Sequence, residues 1–88
     1  MLNVVAENSF RKDLKRELKR GLDSNILYSV VDMLQSEKKL ESKYRDHKLQ
    51  GNYVNCRECH IKPDLLLIYR VVKPNLYLIR LGSHSDLF

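Results

Sequence analysis

The sequence predicts a two-layer α+β fold, in which a helical hairpin packs on one face of a twisted, largely antiparallel β-sheet. The first half of the chain carries two stretches with the apolar period of amphipathic helices. The second half carries three β-type runs separated by short turns that contain proline. A length of 88 residues allows one hydrophobic core, so we expect a single domain over residues 1–88.

A short strand and a first helix are predicted at the start of the chain. Leu2–Val5 is apolar and partly β-branched, which is typical of a strand. Asn8 or Ser9 is a suitable N-cap for the helix that follows, and Gly21 is a suitable residue to end it. The apolar stripe of this helix repeats at Phe10, Leu14 and Leu18.

The second helix is predicted to begin at Asp23 or Ser24, either of which can cap it. Because its apolar pattern fades after Leu34, we expect residues 36–51 to form mostly loop. The stripe is broad enough to face a core and consists of Ile26, Leu27, Val30, Val31 and Leu34.

Three strands are predicted in the second half, at Val54–Ile61, Leu65–Val72 and Leu76–Leu81. The turns between them, Lys62-Pro63-Asp64 and Lys73-Pro74-Asn75, are short. Short turns between neighbouring strands imply an antiparallel meander, with the two helices covering one of its faces.

The chain is basic, with a formal net charge of +5. Such a charge on a small domain indicates nucleic acid or an acidic protein as partner, although it also serves solubility. The first helix places six cations beside its apolar stripe, and we expect this face to bind an acidic partner or RNA phosphates unless it is simply solvated. These cations are Arg11, Lys12, Lys15, Arg16, Lys19 and Arg20.

No segment is expected to cross a membrane. The longest uncharged apolar run covers only residues 65–69, and the first residues lack the basic and apolar regions of a signal peptide. We therefore expect a cytoplasmic chain with no membrane partner.

The cysteines form a tempting motif, since Cys56, Cys59 and His60 fit the C-x-x-C-H pattern of c-type haem attachment. In a strand, however, positions three apart point to opposite faces, so the two thiols cannot serve one haem. Haem attachment also needs an exported chain, and a zinc site would need two further ligands. We expect two reduced cysteines, with no haem, no zinc and no other metal or cofactor.

The predicted meander brings ionisable residues together at one edge of the sheet. Its first and third strands run in the same direction, so His60, Asp64 and His84 lie at the same edge. The outer strands of such a trio are about 9–10 Å apart, which suits a nucleotide. The topology does not place His47, which belongs to the predicted loop.

Histidines and a carboxylate around such a gap suit general acid–base chemistry near neutral pH, and RNA offers a suitable reaction. One group would take the proton of a ribose 2′-OH, whose oxygen attacks the adjacent phosphorus, and another would protonate the departing 5′-oxygen. Cations would stabilise the charge on phosphorus without a metal. The cations nearest in sequence are Arg57, Lys62 and Arg80.

Three blocks of the sequence resemble the YafQ-type toxins of the RelE superfamily. Residues 44–51, YRDHKLQG, are similar to the family's block Y-x-D-H-x-L-x-G. Residues 57–69, RECHIKPDLLLIY, are similar to R-[DE]-x-H-[IV]-x-P-D-[WL]-L-L-[IV]-Y, and residues 80–88, RLGSHSDLF, to R-x-G-[ST]-H-x-x-L-F. The order and spacing of the blocks agree along the whole chain, although Glu58 stands where several relatives carry Asp.

This resemblance implies a ribosome-dependent mRNA endonuclease with a RelE-like fold, the toxin of a toxin–antitoxin pair. Its implied partners are a cognate acidic antitoxin and the ribosome with its mRNA. By hypothesis, His84 or His47 acts as general acid towards the 5′-oxygen. Asp64 or His60 then assists deprotonation of the 2′-OH, and Phe88 stacks on a base.

Three other functions remain open from the sequence. A gyrase-poisoning toxin of the same superfamily shares the fold but not the acid–base residues, so the three histidines argue against it. A non-catalytic RNA-binding module would need aromatic stacking platforms, whereas Tyr69 and Tyr77 alternate with apolar strand residues. The third is a small zinc protein, which a metal assay would test.

Overall fold

The computed structural model describes residues 1–88 and confirms the predicted α+β fold, with helices packed on a mostly antiparallel sheet. The five strands form one sheet in the order β1-β5-β4-β3-β2. The elements are β1 (Asn3–Ala6), α1 (Asn8–Lys19), α2 (Ser24–Gln35), β2 (His47–Lys48), β3 (Arg57–Lys62), β4 (Leu65–Val72), β5 (Asn75–Gly82) and α3 (His84–Leu87). No helix combines the length and the apolarity that crossing a bilayer requires.

The segment between α2 and β3 is more ordered than the fading apolar pattern indicated. It contains single 3-10 turns at Ser42–Tyr44 and Gly51–Tyr53, with the two-residue strand β2 between them. β2 pairs antiparallel with β3. The prediction of a strand from Val54 is wrong by three residues, because Val54 follows the second 3-10 turn and is exposed.

The strands β3, β4 and β5 form the predicted antiparallel meander. The edge strand β1 instead pairs parallel with β5, from Asn3 opposite Asn75 to Ala6 opposite Leu78. β4 lies in the centre and is buried on both faces, which explains its almost continuous apolar sequence. Only its first five residues are buried. Leu65, Leu67 and Tyr69 join the main core of 15 buried residues under the helices, and Leu66 and Ile68 join a cluster of 4 on the opposite face.

The helix α2 follows its prediction closely. The Asp23 side chain caps it by accepting a hydrogen bond of 3.0 Å from the Asn25 backbone N–H. Four residues of the predicted stripe are buried, and only Ile26 lies towards solvent. The turn before α2 uses Gly21, whose φ of +96° lies in the left-handed region that glycine adopts without strain.

The stripe predicted for α1 is wrong at its last member. Leu18 is 47% exposed, whereas Asp13 and Glu17 are buried among the inward-facing residues. The reason lies in the adjacent edge of the sheet. β1 covers β5 only as far as Leu78, so the remaining backbone groups on that side of β5 face α1 instead of a strand.

Side chains of α1 satisfy these backbone groups. The Ser9 hydroxyl donates to the Ile79 carbonyl at 2.6 Å, and the Asp13 carboxylate accepts from the Leu81 N–H at 2.9 Å. The Arg16 guanidinium donates to the Leu81 carbonyl at 2.7 Å. Because buried backbone groups need partners, polar residues take part of the inward face of this helix.

Candidate active site

Two histidines meet one buried carboxylate where β2 runs beside β3. His47 lies opposite Glu58 in the strand pairing, and its Nε2 is 3.1 Å from Oε2 of Glu58. Nε2 of His60 lies 3.9 Å from the same oxygen. The position of His47, which the meander did not fix, therefore follows from the short strand β2. Glu58 is a site residue that the sequence reasoning missed, although its alternation with His60 on one strand was a usable signal.

The surroundings of His47 and Glu58 constrain where protons can be. Nδ1 of His47 lies 2.6 Å from the Arg45 carbonyl oxygen, so both ring nitrogens face oxygen atoms. An imidazolium satisfies both oxygens, as does a neutral ring that shares one proton with the Glu58 carboxyl. Glu58 is only 2% exposed, and its Oε1 has no hydrogen-bond partner. One oxygen of the buried Glu58 carboxyl group therefore faces both imidazoles.

The face of the sheet that carries the site is the one opposite α1 and α2. Glu58 and His60 lie across from Ile68 and Leu66, which belong to the cluster on that face. A bulge follows His60 in β3 and disturbs the regular pairing at the end of the strand. Bulges of this kind re-aim side chains, which suits a position beside a site.

The structure brings His60 and His84 together, at 6.4 Å between ring centroids, as the sheet-edge argument predicted. His84 begins α3, and its ring lies 5.5 Å from that of Phe88. Phe88 also meets Tyr53 edge-on at 5.7 Å, yet remains 60% exposed. An accessible aromatic ring beside two histidines is suited to stacking on a base.

The short helix α3 was not predicted, although Ser83-x-x-Asp86 is a capping-box pattern. The Ser83 hydroxyl accepts from the Asp86 N–H at 3.2 Å, and the Asp86 carboxylate accepts from the Ser83 N–H at 3.0 Å. These bonds to Ser83, followed by the neighbouring Arg20 and Arg16 guanidinium groups, lower the pKa of Asp86 to about 2. The ionised Asp86 thus holds the segment that carries His84.

We expect Asp86→Asn to remove part of the acid sensitivity of the fold. Since the folded-state pKa of Asp86 is lowered, its ionised form adds stability above the unfolded-state pKa, and this contribution disappears as pH falls from about 4 to about 2. Urea unfolding at several pH values should show the wild type losing its advantage over Asp86→Asn in that range. Asp32→Asn, at an exposed position of α2, is the control, and parallel curves for wild type and Asp86→Asn would contradict the expectation.

A second missed carboxylate, Asp13, holds Arg80. Arg80 Nε lies 2.7 Å from Asp13 Oδ2, and Arg80 Nη2 lies 3.3 Å from Oδ1. Burial alone raises the pKa of Asp13, but the Arg80 hydrogen bond, the Leu81 N–H and the charges of Arg80 and Arg16 together lower it. Arg80 Nη1 is directed to the Tyr53 hydroxyl at 3.4 Å, beside Phe88. Arg80 is therefore a positioned cation at the border of the histidine cluster.

The other predicted site residues are less closely connected to this cluster. Arg57 is engaged by Asp46, with 3.1 Å between Nε and Oδ1, so its charge is already paired. Asp64 is exposed in the β3–β4 turn, and no hydrogen bond or ion pair holds its side chain. Lys62 is exposed and unpaired at the end of β3.

The cationic face of α1 is smaller than the sequence indicated. Arg16 and Arg20 form ion pairs with the carboxylates of Asp13, Glu17 and Asp86. Gly82 gives the Arg16 guanidinium room, because a Cβ there would lie 2.7 Å from Arg16 Nη2. The cations of this face that remain exposed and unpaired are Arg11, Lys12, Lys15 and Lys19.

Both cysteines are free and buried on opposite faces of the sheet, Cys59 in the main core and Cys56 in the smaller cluster. Burial, together with the charges of Asp46 and Glu58, raises the pKa of Cys59 to about 12, and burial raises that of Cys56. The thiols therefore stay protonated near neutral pH, which does not favour redox or metal chemistry. No group of three or more His, Cys, Asp or Glu side chains is arranged to hold a metal ion.

Known proteins resemble this chain over its whole length. A family model described as "Bacterial toxin of type II toxin-antitoxin system, YafQ" matches residues 2–88. The mRNA interferase toxin YafQ of Escherichia coli K12 is 36% identical over 87 residues, which cover 98% of this chain and 95% of that protein.

Solved structures agree with these sequence matches. A metal-bound toxin from Helicobacter pylori is 50% identical, with a TM-score of 0.95 over 100% of both chains. The toxin in the E. coli DinJ–YafQ complex is 32% identical, with a TM-score of 0.91 over 100% of this chain and 99% of that one.

Proposed function

Since this chain belongs to the YafQ family of type II toxin–antitoxin toxins and is an mRNA interferase, we propose that it cleaves mRNA on the ribosome by metal-independent acid–base catalysis. The observation that carries the proposal is the contact of His47 and His60 with the buried carboxylate of Glu58. His84 lies next to His60, with 6.4 Å between the ring centroids, and we place the scissile phosphate beside these imidazoles.

In the proposed reaction, His60 accepts the proton of the ribose 2′-OH while the 2′-oxygen attacks the adjacent phosphorus. His84 donates a proton to the 5′-oxygen as its bond to phosphorus breaks, so that proton uptake and release balance. The Glu58 carboxylate favours the positive charge that His60 gains, because it lies 3.9 Å away in a buried setting. We assign proton uptake to His60 rather than to Asp64, since no partner orients the Asp64 side chain.

The proposed roles of Arg80 and Phe88 follow from their surroundings. Asp13 holds Arg80 through Nε and Nη2, and Nη1 donates to the Tyr53 hydroxyl beside Phe88. From this position Arg80 would stabilise negative charge on phosphorus. Phe88 offers an exposed ring for a base next to His84. Arg57 and Lys62 lie farther out as candidate contacts for the RNA backbone.

The proposed partners are a cognate antitoxin and the ribosome with its mRNA. A complex with the antitoxin DinJ is known for the E. coli YafQ protein, which supports an antitoxin partner here. The unpaired cations of α1 are the candidate dock for an acidic antitoxin segment or for ribosomal RNA phosphates. Ribosomes and mRNA place the proposed activity in the cytoplasm.

Mapping mRNA 5′ ends in a translating extract, with and without the purified chain, tests the proposal. We expect new ends in register with the reading frame, which disappear when ribosomes are removed. His84→Ala should abolish them, whereas Tyr28→Phe, at an exposed position of α2, should leave them unchanged. Cuts of equal strength without ribosomes would exclude ribosome dependence, and unchanged cutting by His84→Ala would exclude the proposed acid.

A further inference from the structure

A basic cleft of about 570 Å³ opens beside His60, outside the histidine cluster itself. One wall is the end of β3, a second is α2 around Ser29, and a third is the 3-10 turn that contains Lys43 and Tyr44. Its volume lies within the range of about 300–1,000 Å³ that is typical of small-molecule sites. The cleft and the proposed active site share His60, so a ligand in one is adjacent to the other.

The charge of the cleft is uncompensated. Lys43, Arg45 and Lys62 line it, none of them forms an ion pair, and no carboxylate is part of the lining. Arg16, Arg57 and most other arginines near the site are, in contrast, paired with carboxylates. Three unpaired cations in a concave surface concentrate positive potential and attract an anionic ligand.

The backbone at Arg45 ties the cleft to the histidine cluster. Arg45 has a φ of 48°, in the left-handed region that non-glycine residues rarely adopt. Its carbonyl accepts the hydrogen bond of Nδ1 of His47 at 2.6 Å. The same residue therefore orients His47 through its backbone carbonyl and forms part of the cleft lining.

Building on the proposed function, we propose that this cleft binds the sugar–phosphate backbone of the nucleotide next to the scissile phosphate. β2 pairs with β3 only at Arg57 and Glu58, and beyond that point the cleft lies along the edge of β3 and reaches α2 on the other face of the sheet. An RNA strand whose phosphate lies beside His60 can cross this edge and enter the cleft. The Ser29 hydroxyl already donates to the Ile26 carbonyl, so the polar groups offered to a ligand are mostly cations. Such a site reads phosphate rather than base, and it holds RNA without sequence preference.

Binding of a short, fully 2′-O-methylated oligoribonucleotide, which lacks the nucleophile, tests this without cleavage. Fluorescence anisotropy of the full chain is measured over a series of salt concentrations, beginning at low salt. We expect the triple variant Lys43→Gln/Arg45→Gln/Lys62→Gln to bind about tenfold or more weakly, with the slope of log K against log salt reduced by about 0.7 for each lost phosphate contact. The matched control Lys38→Gln/Lys39→Gln/Arg70→Gln removes three charges from exposed residues elsewhere and should bind like the wild type.

Two further measurements complete the test. The double variant Lys43→Gln/Lys62→Gln keeps Arg45 unchanged. Weaker RNA binding by this variant therefore cannot come from a displaced His47. Binding of an oligoglutamate peptide is measured as well, because this peptide represents an acidic protein segment that would bind the same cations. Equal weakening in cleft and control variants, no RNA binding by the wild type at low salt, or loss of peptide binding alone would each overturn the proposal. Because the 2′-O-methylated probe cannot be cleaved, this binding experiment tests the cleft alone. The extract experiment tests ribosome-dependent cleavage independently of it.

Discussion

Glu58→Gln is expected to lower the rate of mRNA cleavage by roughly 100-fold or more, which is the usual range for loss of a group that supports acid–base catalysis. Glutamine keeps the shape of the side chain but removes the charge that faces His47 and His60. Its amide would also bury an N–H₂ group where Oε1 now has no partner. Cleavage rates measured over a range of pH should show both a lower plateau and an altered profile.

The control for this experiment is Glu41→Gln, which removes the same charge from an exposed and unpaired position. Thermal unfolding of both variants shows how much of the effect arises from a change in stability. A Glu58→Gln variant that matches the wild type in rate and in pH profile would show that Glu58 only fills space behind the histidines.

Asp13→Ala should lower the free energy of unfolding by about 3 kcal/mol, because removing one member of a buried ion pair leaves the other charge uncompensated. Arg80 would lose its partner, and the Leu81 N–H would lose its acceptor. Urea unfolding measures this loss. Asp32→Ala, at an exposed position of the neighbouring helix, should change the free energy of unfolding by no more than about 0.5 kcal/mol.

Activity separates a positioning role of Asp13 from a purely structural one. In the isosteric Asp13→Asn, Arg80 keeps a neighbour of the right size but loses the charged partner that holds its guanidinium. We expect cleavage by the folded fraction of this variant to fall as well, since Arg80 would no longer be fixed at the border of the site. Full activity of the folded Asp13→Asn fraction would restrict Asp13 to stability.

The fold could be predicted where local patterns decide it. The stripe of α2 and the continuous apolar run of β4 required only helical period and burial. The inward face of α1 could not be predicted in this way. Asp13 is buried because the pairing of β1 with β5 ends at Leu78, so that the Leu81 N–H donates to Asp13 instead of to a strand. This difference in strand length appears only when the strands are assembled.

Some residues of the candidate site could likewise be predicted from local patterns, and others could not. The meeting of His60 and His84 followed from counting strand directions, which the short turns made possible. His47 depended on a strand of two residues, too short to leave a pattern in the sequence. The sequence shows Glu58 as an acidic residue that alternates with a histidine on one strand. Its burial, on which its proposed role depends, comes from the tertiary packing.

The pairing of β1 with β5 has a consequence for the biosynthesis of this toxin. Asn3 pairs with Asn75, and Asp13 pairs with Arg80. Both contacts therefore join a segment that is synthesised early with one that is synthesised late. A nascent chain can form its helical hairpin early, whereas the covered edge of β5 waits until residue 80 has left the exit tunnel. A partly synthesised chain therefore lacks the anchored Arg80 and the complete histidine cluster, so the proposed activity can arise only when the domain is nearly complete.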